Sequence, residues 1–152
     1  MQDFLLDWLK EKNLLSIIKN HNKPFRKVLT KSFDLKSDQE ILILSDWGSH
    51  SKRVAAIMSG CYYIAAEKLG YEVKVAMQGV KSIKDPADNN IVDALYKQKE
   101  KSLVIVSFSN KPGSLHPSIG KSFRRFASEK KHNYISTTGL GDLENKDIYL
   151  IT

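Results

Sequence analysis

The sequence has one cysteine, four prolines, eight glycines and two tryptophans in 152 residues, and each scarcity narrows what the chain can be. A lone thiol, Cys61, excludes an intramolecular disulfide and any multi-cysteine zinc site. So little proline and glycine excludes collagen-like and low-complexity chains. No apolar run reaches the roughly 18 residues that a membrane-spanning helix needs. The N-terminal MQDFLLDWLK carries two aspartates where a secretory signal would carry lysine or arginine, so a cytoplasmic protein with no membrane partner is expected.

What is present is an ordinary globular composition, 41% hydrophobic and 27% charged, long enough for one domain. Lys and Arg number 24 against 17 Asp and Glu, a formal charge of +7. Such an excess is the first sign of a nucleic-acid binder. Its distribution points elsewhere, because lysines interleave with acids throughout, as in Lys10-Glu11-Lys12 and Lys99-Glu100-Lys101. Only Arg124, Arg125, Lys130, Lys131 and His132 form a denser group, and nucleic acid is not expected as a partner.

Residues 1–33 read as a helical extension. Leu5, Trp8 and Leu9, then Leu14, Leu15, Ile17 and Ile18, recur at helical spacing around a break at Asn13, and Pro24 suits the first turn of a further helix through Phe33. Residues 34–152 change rhythm. The continuous apolar run Ile41-Leu42-Ile43-Leu44 predicts a strand buried on both faces. A helix is expected over 51–69, with Gly70 as its stop, and then a strand over 71–76. The cycle repeats with a helix through Ile91 and Leu95, a strand over 103–106, a helix entered at Ser114 or Ser118 through Phe126, a strand at Tyr134-Ile135 and a fifth over 148–151. Strand alternating with helix, joined by right-handed crossovers, predicts an α/β Rossmann-like three-layer sandwich. Its sheet is expected to be mainly parallel with about five strands. The run of the fifth strand into Thr152 suggests the front domain of a longer polypeptide.

Open parallel sheets bind ligands beyond the carboxyl ends of their strands. There the sequence offers Asp46, Ser49, Ser51 and Lys52 after the first strand, and Ser109, Lys111, Ser114 and His116 after the third. Ser49 or Ser51 is suited to cap the following helix, whose free N–H groups would accept a small anion. The same residues also suit a plain capped helix and a plain turn. Neither G-x-G-x-x-G nor G-x-x-x-x-G-K-[ST] occurs, so nucleotide binding has no motif behind it. No G-x-S-x-G and no H-E-x-x-H is present, and Cys61 falls in register with Met58 and Ala65 as a core thiol.

From Phe25 to Leu143 the order of features resembles the N-terminal domain of the aminopeptidase T-like family of two-metal aminopeptidases. The likeness is carried by Phe25 to Leu35, by Ser37 to Asp46 as polar turn and strand ending in Asp, and by Ala65-Ala66-Glu67-Lys68-Leu69-Gly70 with Glu72-Val73. Ser114-Leu115-His116 and Ser136-Thr137-Thr138-Gly139 continue it. The resemblance implies a front domain packed on a C-terminal catalytic domain, where it walls the substrate cleft or mediates contacts with a second subunit of a homo-oligomer. In that family the metal ligands belong to the C-terminal domain, so no catalytic or metal-binding residue is implied here. This chain alone would be catalytically silent and free of cofactor, with divalent metal ions and metal-dependent aminopeptidase activity belonging to a full-length parent. From the residues alone, the alternative is a stand-alone module that holds a small anionic ligand at the strand ends.

Overall fold

A computed structural model describes residues 3–32, 38–82, 84–115 and 123–148. The run Glu40–Asp46 forms strand β1, and it is buried from Ile41 onward. A strand with no wet face needs cover on both sides, and the rest of the chain supplies it. Strands β2 (Glu72–Gln78), β3 (Leu103–Ser107) and β4 (Asn133–Thr137) join β1 in an all-parallel sheet of order β2-β1-β3-β4. The fold is a Rossmann-like α/β sandwich with four strands rather than about five. Of the expected fifth strand, Ile148 is buried in the helical turn that follows Asn145–Asp147, and residues 149–151 lie outside the described residues.

Helices α1 (Asp3–Glu11), α2 (Leu15–His21) and α3 (Lys23–Lys27) precede the sheet, followed by a π-helical turn over Val28–Ser32. Asn13 breaks the first two apart with φ 61°, and Pro24 sits in the first turn of α3, both as the sequence predicts. Helix α4 (Val54–Lys68) covers one face of the sheet. Every residue from Val54 to Tyr63 is buried, as are Ala65 and Ala66. A helix apolar all round must be covered all round. The sheet covers one side of α4, and Leu5, Leu9, Ile18, Phe25 and Leu29 from the N-terminal helices share the core on the other. Gly70, at φ 85°, ends α4 in a Schellman motif: its N–H reaches Glu67 O at 3.0 Å, and Tyr71 N–H reaches Ala66 O at 3.1 Å.

Helices α5 (Asn89–Lys97) and α6 (Phe123–Glu129) lie on the opposite face, where Ile91, Leu95 and Phe126 meet Leu42, Leu44, Val104 and Val106. That arrangement is what right-handed crossovers require when β2 and β3 flank β1. Ser114 does not begin α6; it is extended and bridges Pro86, while the other expected start, Ser118, lies outside the described residues.

At the amino ends of β3 and β4 the chain is laced by polar bonds. Ser102 N–H donates to His132 Nδ1 at 3.1 Å, which places the imidazole proton on Nε2. Burial, with the neighbouring Lys130 charge, pushes His132 below the usual histidine pKa of 6.5. Glu40 moves down as well: its partial burial opposes the charge, but the Lys74 ammonium at 3.1 Å and the Gln98 amide at 3.2 Å outweigh that.

Two outcomes are expected from this packing. Gly60 faces α1 and α2 so closely that a Cβ would lie 2.6 Å from Ile18 Cδ1 and 2.7 Å from Leu9 Cδ1. Gly60→Val is expected to destabilise the protein by about 1–3 kcal/mol through overpacking, read from urea unfolding. His132, depressed in the folded state, takes up its proton more readily when unfolded. Stability should therefore fall as pH drops below about 6.5, and His132→Asn should flatten that fall when unfolding midpoints are compared between pH 7.5 and 5.

Candidate functional site

The reversal of strand order between β1 and β3 opens a crevice at their carboxyl ends, and the side chains there are short and polar. Ser45 and Ser107, register partners across the two strands, both donate to the carbonyl of Ala55, at 3.2 and 3.1 Å. Ser59, one turn along α4, donates to the same oxygen at 2.9 Å. Three hydroxyls on one carbonyl fasten the first turn of α4 over the crevice. None of the three serines stands out in the sequence, because their convergence spans 62 residues.

Asp46, the last residue of β1, has no exposed surface. Its carboxylate accepts the Ser109 N–H at 2.7 Å, the Ser109 hydroxyl at 2.6 Å and the Gly48 N–H at 3.0 Å. Burial nonetheless outweighs these bonds and raises the Asp46 pKa above the ordinary aspartate value. Asp46 and Ser109, both expected at the site from the sequence, are thus brought together, and each occupies the other: both donors of Ser109 are committed to Asp46. Gly48 turns the chain away from this contact at φ 65°, and a Cβ there would strike the Lys52 carbonyl.

The other expected residues are placed apart from that pair. Ser49 and Lys52 bridge each other in an exposed tight turn, with Lys52 N–H on Ser49 O at 2.9 Å and His50 at φ 48°. Neither Ser49 nor Ser51 caps α4, which starts at Val54 with Arg53 in the cap position. The reason is a partner remote in sequence: Asn145 Oδ1 accepts the Arg53 N–H at 2.7 Å, and Asn145 N–H returns to Ser51 O at 2.8 Å. The Arg53 guanidinium turns back, donating to Trp47 O at 2.8 Å and lying 4.9 Å from the Trp8 ring, which itself packs on Trp47 at 4.6 Å.

After β3, Lys111 bridges Lys81, and Ser114 is held between Asp85 O and the Ala87 N–H at 2.8 and 3.0 Å. Buried Gln78 joins the two loops, its Nε2 donating to Pro112 O at 2.8 Å and its Oε1 accepting from Asp88 N–H at 3.0 Å. On the other side the Gly141 N–H meets Ser109 O at 2.5 Å and the Gly139 N–H meets Asn110 O at 3.1 Å. The loop after β3 is therefore tied to the turns after both β2 and β4. His116 lies outside the described residues. Under this loop an apolar cavity of about 80 Å³ is walled by Leu44, Ile91, Val106, Phe108 and Phe123.

Cys61 is fully buried in α4 and its thiol is pushed up to about 12 by burial, consistent with the core role expected of it. Among the described residues, no three His, Cys, Asp or Glu side chains gather to hold a metal ion, and no helix is long and apolar enough to cross a membrane. Comparison with family models, with curated proteins and with solved structures gives no match to this chain.

The Asp46–Ser109 pair has measurable consequences. Ser109→Ala removes a hydroxyl donor from a buried carboxylate and should cost about 1.5–3 kcal/mol in urea unfolding. The folded state binds the Asp46 proton more tightly than the unfolded chain does. That contribution is complete below the unfolded pKa near 3.8 and is lost as pH rises through the higher native value. The stability advantage of the native protein over Asp46→Asn should accordingly be largest near pH 4 and shrink toward pH 7.

Proposed function

We propose that this chain is the non-catalytic front domain of an aminopeptidase-like metalloprotein, packing against a separate metal-binding C-terminal domain. The observation that supports this reading is the closure of the crevice between β1 and β3. Where doubly wound proteins present loop donors to a ligand, Ser109 gives both of its donors to the chain's own Asp46. The loops around it are fastened to one another through Gln78, Gly139 and Gly141. A sheet end closed in this way suits a wall or a scaffold. The metal of this reading belongs to the C-terminal domain, and no residue here is assigned to it.

A surface for such packing lies beside β2. An open groove of about 540 Å³ runs along that strand between α1 and α5, with Phe4, Trp47, Val75 and Met77 on its walls. Phe4 is 41% exposed there, and its ring meets Trp47 edge-on at 6.2 Å.

The decisive test is the native reading frame beyond the codon for Thr152. A further domain's length encoding clustered Glu, His and Asp is the expected result; an immediate stop codon overturns the proposal. Purified residues 1–152 should show no Co²⁺- or Zn²⁺-dependent turnover of amino-acid nitroanilides. Phosphate and small carboxylates should not raise the melting temperature. A ligand at 100 times its Kd would stabilise the fold by about 2.7 kcal/mol, and a shift of that size with an anion would favour the stand-alone anion-binding module instead.

A further inference from the structure

The opposite end of the sheet carries charge that the sequence disperses. The turn 98–102 leads into β3 and the turn 130–132 leads into β4, and the two are stitched together by the Lys101 N–H on Lys130 O and the Asn133 N–H on Ser102 O, each at 3.1 Å. Lys99, Lys101, Lys130 and Lys131 therefore share one rim although some thirty residues separate the two pairs. Only Glu100 interrupts them within these turns. Lys101 and Lys131 hold left-handed backbone, φ 62° and 58°, where glycine or asparagine is the sterically inexpensive choice. Lysine recurs at both strained positions.

Beside this rim stands Tyr96, in the last turn of α5 and 59% exposed. At 100° per residue, Tyr96 lies on the outward side of α5, about 40° from Val92 and about 60° from Asp93, away from buried Ile91 and Leu95. It stands three residues before Lys99, where the chain leaves α5 for the turn that carries the first lysine pair. An exposed phenol ring at the entrance to a lysine-bearing rim is the combination that holds an unpaired nucleotide strand: cations track the phosphates, and the ring stacks on a base whatever its identity.

We propose that the rim formed by Tyr96, Lys99, Lys101, Lys130 and Lys131 binds single-stranded nucleic acid without sequence preference. This reverses the expectation drawn from the interleaved charges of the linear sequence. It stands independently of the front-domain reading, since the rim lies at the other end of the sheet from the closed crevice.

The test is fluorescence anisotropy of a labelled dT 20-mer against the full chain in 50 mM NaCl. Four phosphate contacts predict a slope of log K against log salt of about −3, at ~0.7 per contact. Lys101→Gly with Lys131→Gly relieves the backbone while removing two charges, so the double variant should melt higher than the native protein yet bind more weakly by about tenfold or more. Lys10→Gln with Lys12→Gln, the same charge change at the end of α1 and just beyond it, should bind as the native protein does. Tyr96→Ala should weaken binding to the 20-mer by roughly fivefold or more. The proposal is overturned by absence of binding in 50 mM NaCl, by equal losses in the two lysine pairs, by native affinity in Tyr96→Ala, or by tighter binding to phosphatidylserine vesicles than to the oligonucleotide.

Discussion

A carboxylate without solvent contact must find its hydrogen bonds inside the protein, and Asp46 finds three. Two come from one residue, Ser109, on the far side of the strand reversal. β1 and β3 are the central strands of the sheet, so this contact fixes the chain where it leaves both of them. It also orients the segments beyond. Gly48 begins a turn that delivers Arg53 to the start of α4, and Ser109 offers its carbonyl to Gly141, which draws the segment after β4 across the sheet end. From there Leu140 and Ile148 reach the α4 side of the core, and Asn145 meets the Arg53 N–H just before α4. Losing the Asp46–Ser109 contact would free the loops after β1 and β3 and weaken the hold of the segment after β4.

The elements that the sequence made legible are those whose apolar pattern is local and uninterrupted. Ile41 to Leu44 announces a doubly covered strand, and Val104 to Val106 does the same; Asn13, Pro24 and Gly70 mark breaks that the backbone honours. The features that the sequence concealed depend on contacts between distant residues. Ser49 and Ser51 have the chemistry of a helix cap, but α4 begins at Val54 without a side-chain cap, and its Arg53 N–H is met by Asn145, 92 residues away. The apolar run at 148–151 carries the composition of a strand, and yet Ile148 enters the core from a helical turn. Of the candidate site, a place for Asp46 and Ser109 at the same end of the sheet followed from the rule that ligands gather at strand carboxyl ends. Their mutual saturation did not, because a set of donors does not say which acceptor each will meet.

One stretch of the sequence does carry long-range information. Val54 to Ala66 has no polar face: its polar members are Ser59, Cys61, Tyr62 and Tyr63, all buried. An amphipathic helix would need only the sheet as cover, whereas this one needs a second layer. Residues 3–32 form that layer, and Gly60 marks where it comes nearest, with Ile18 and Leu9 occupying the space a side chain would fill. The N-terminal helices are therefore part of the core that the sheet begins. Their charged residues, among them Lys10, Glu11 and Lys19, remain on the outer surface of that layer.

The two ends of the sheet then divide the polar chemistry of the chain. At the carboxyl ends, carboxylate, hydroxyls and amides are committed to one another and the loops are closed. At the amino ends, Gln98, Ser102 and His132 tie the turns from within, while Lys99, Lys101 and Lys131 are exposed and Lys130 is half-buried. Lysines at the ends of α5 and α6 are favoured there by the partial negative charge of each helix terminus. That accounts for charge in general, and it is satisfied by any cation in the last turn. It does not call for lysine at two left-handed positions, because the backbone there would be easier with glycine and the helix ends already have Lys97 and Lys130. The backbone of Lys101 is held by Lys130 and Gln39 and that of Lys131 by Ser128. That leaves the two ammonium groups without a role in the fold, and in the proposed reading a polyanion lying across the rim is the partner whose charge matches them.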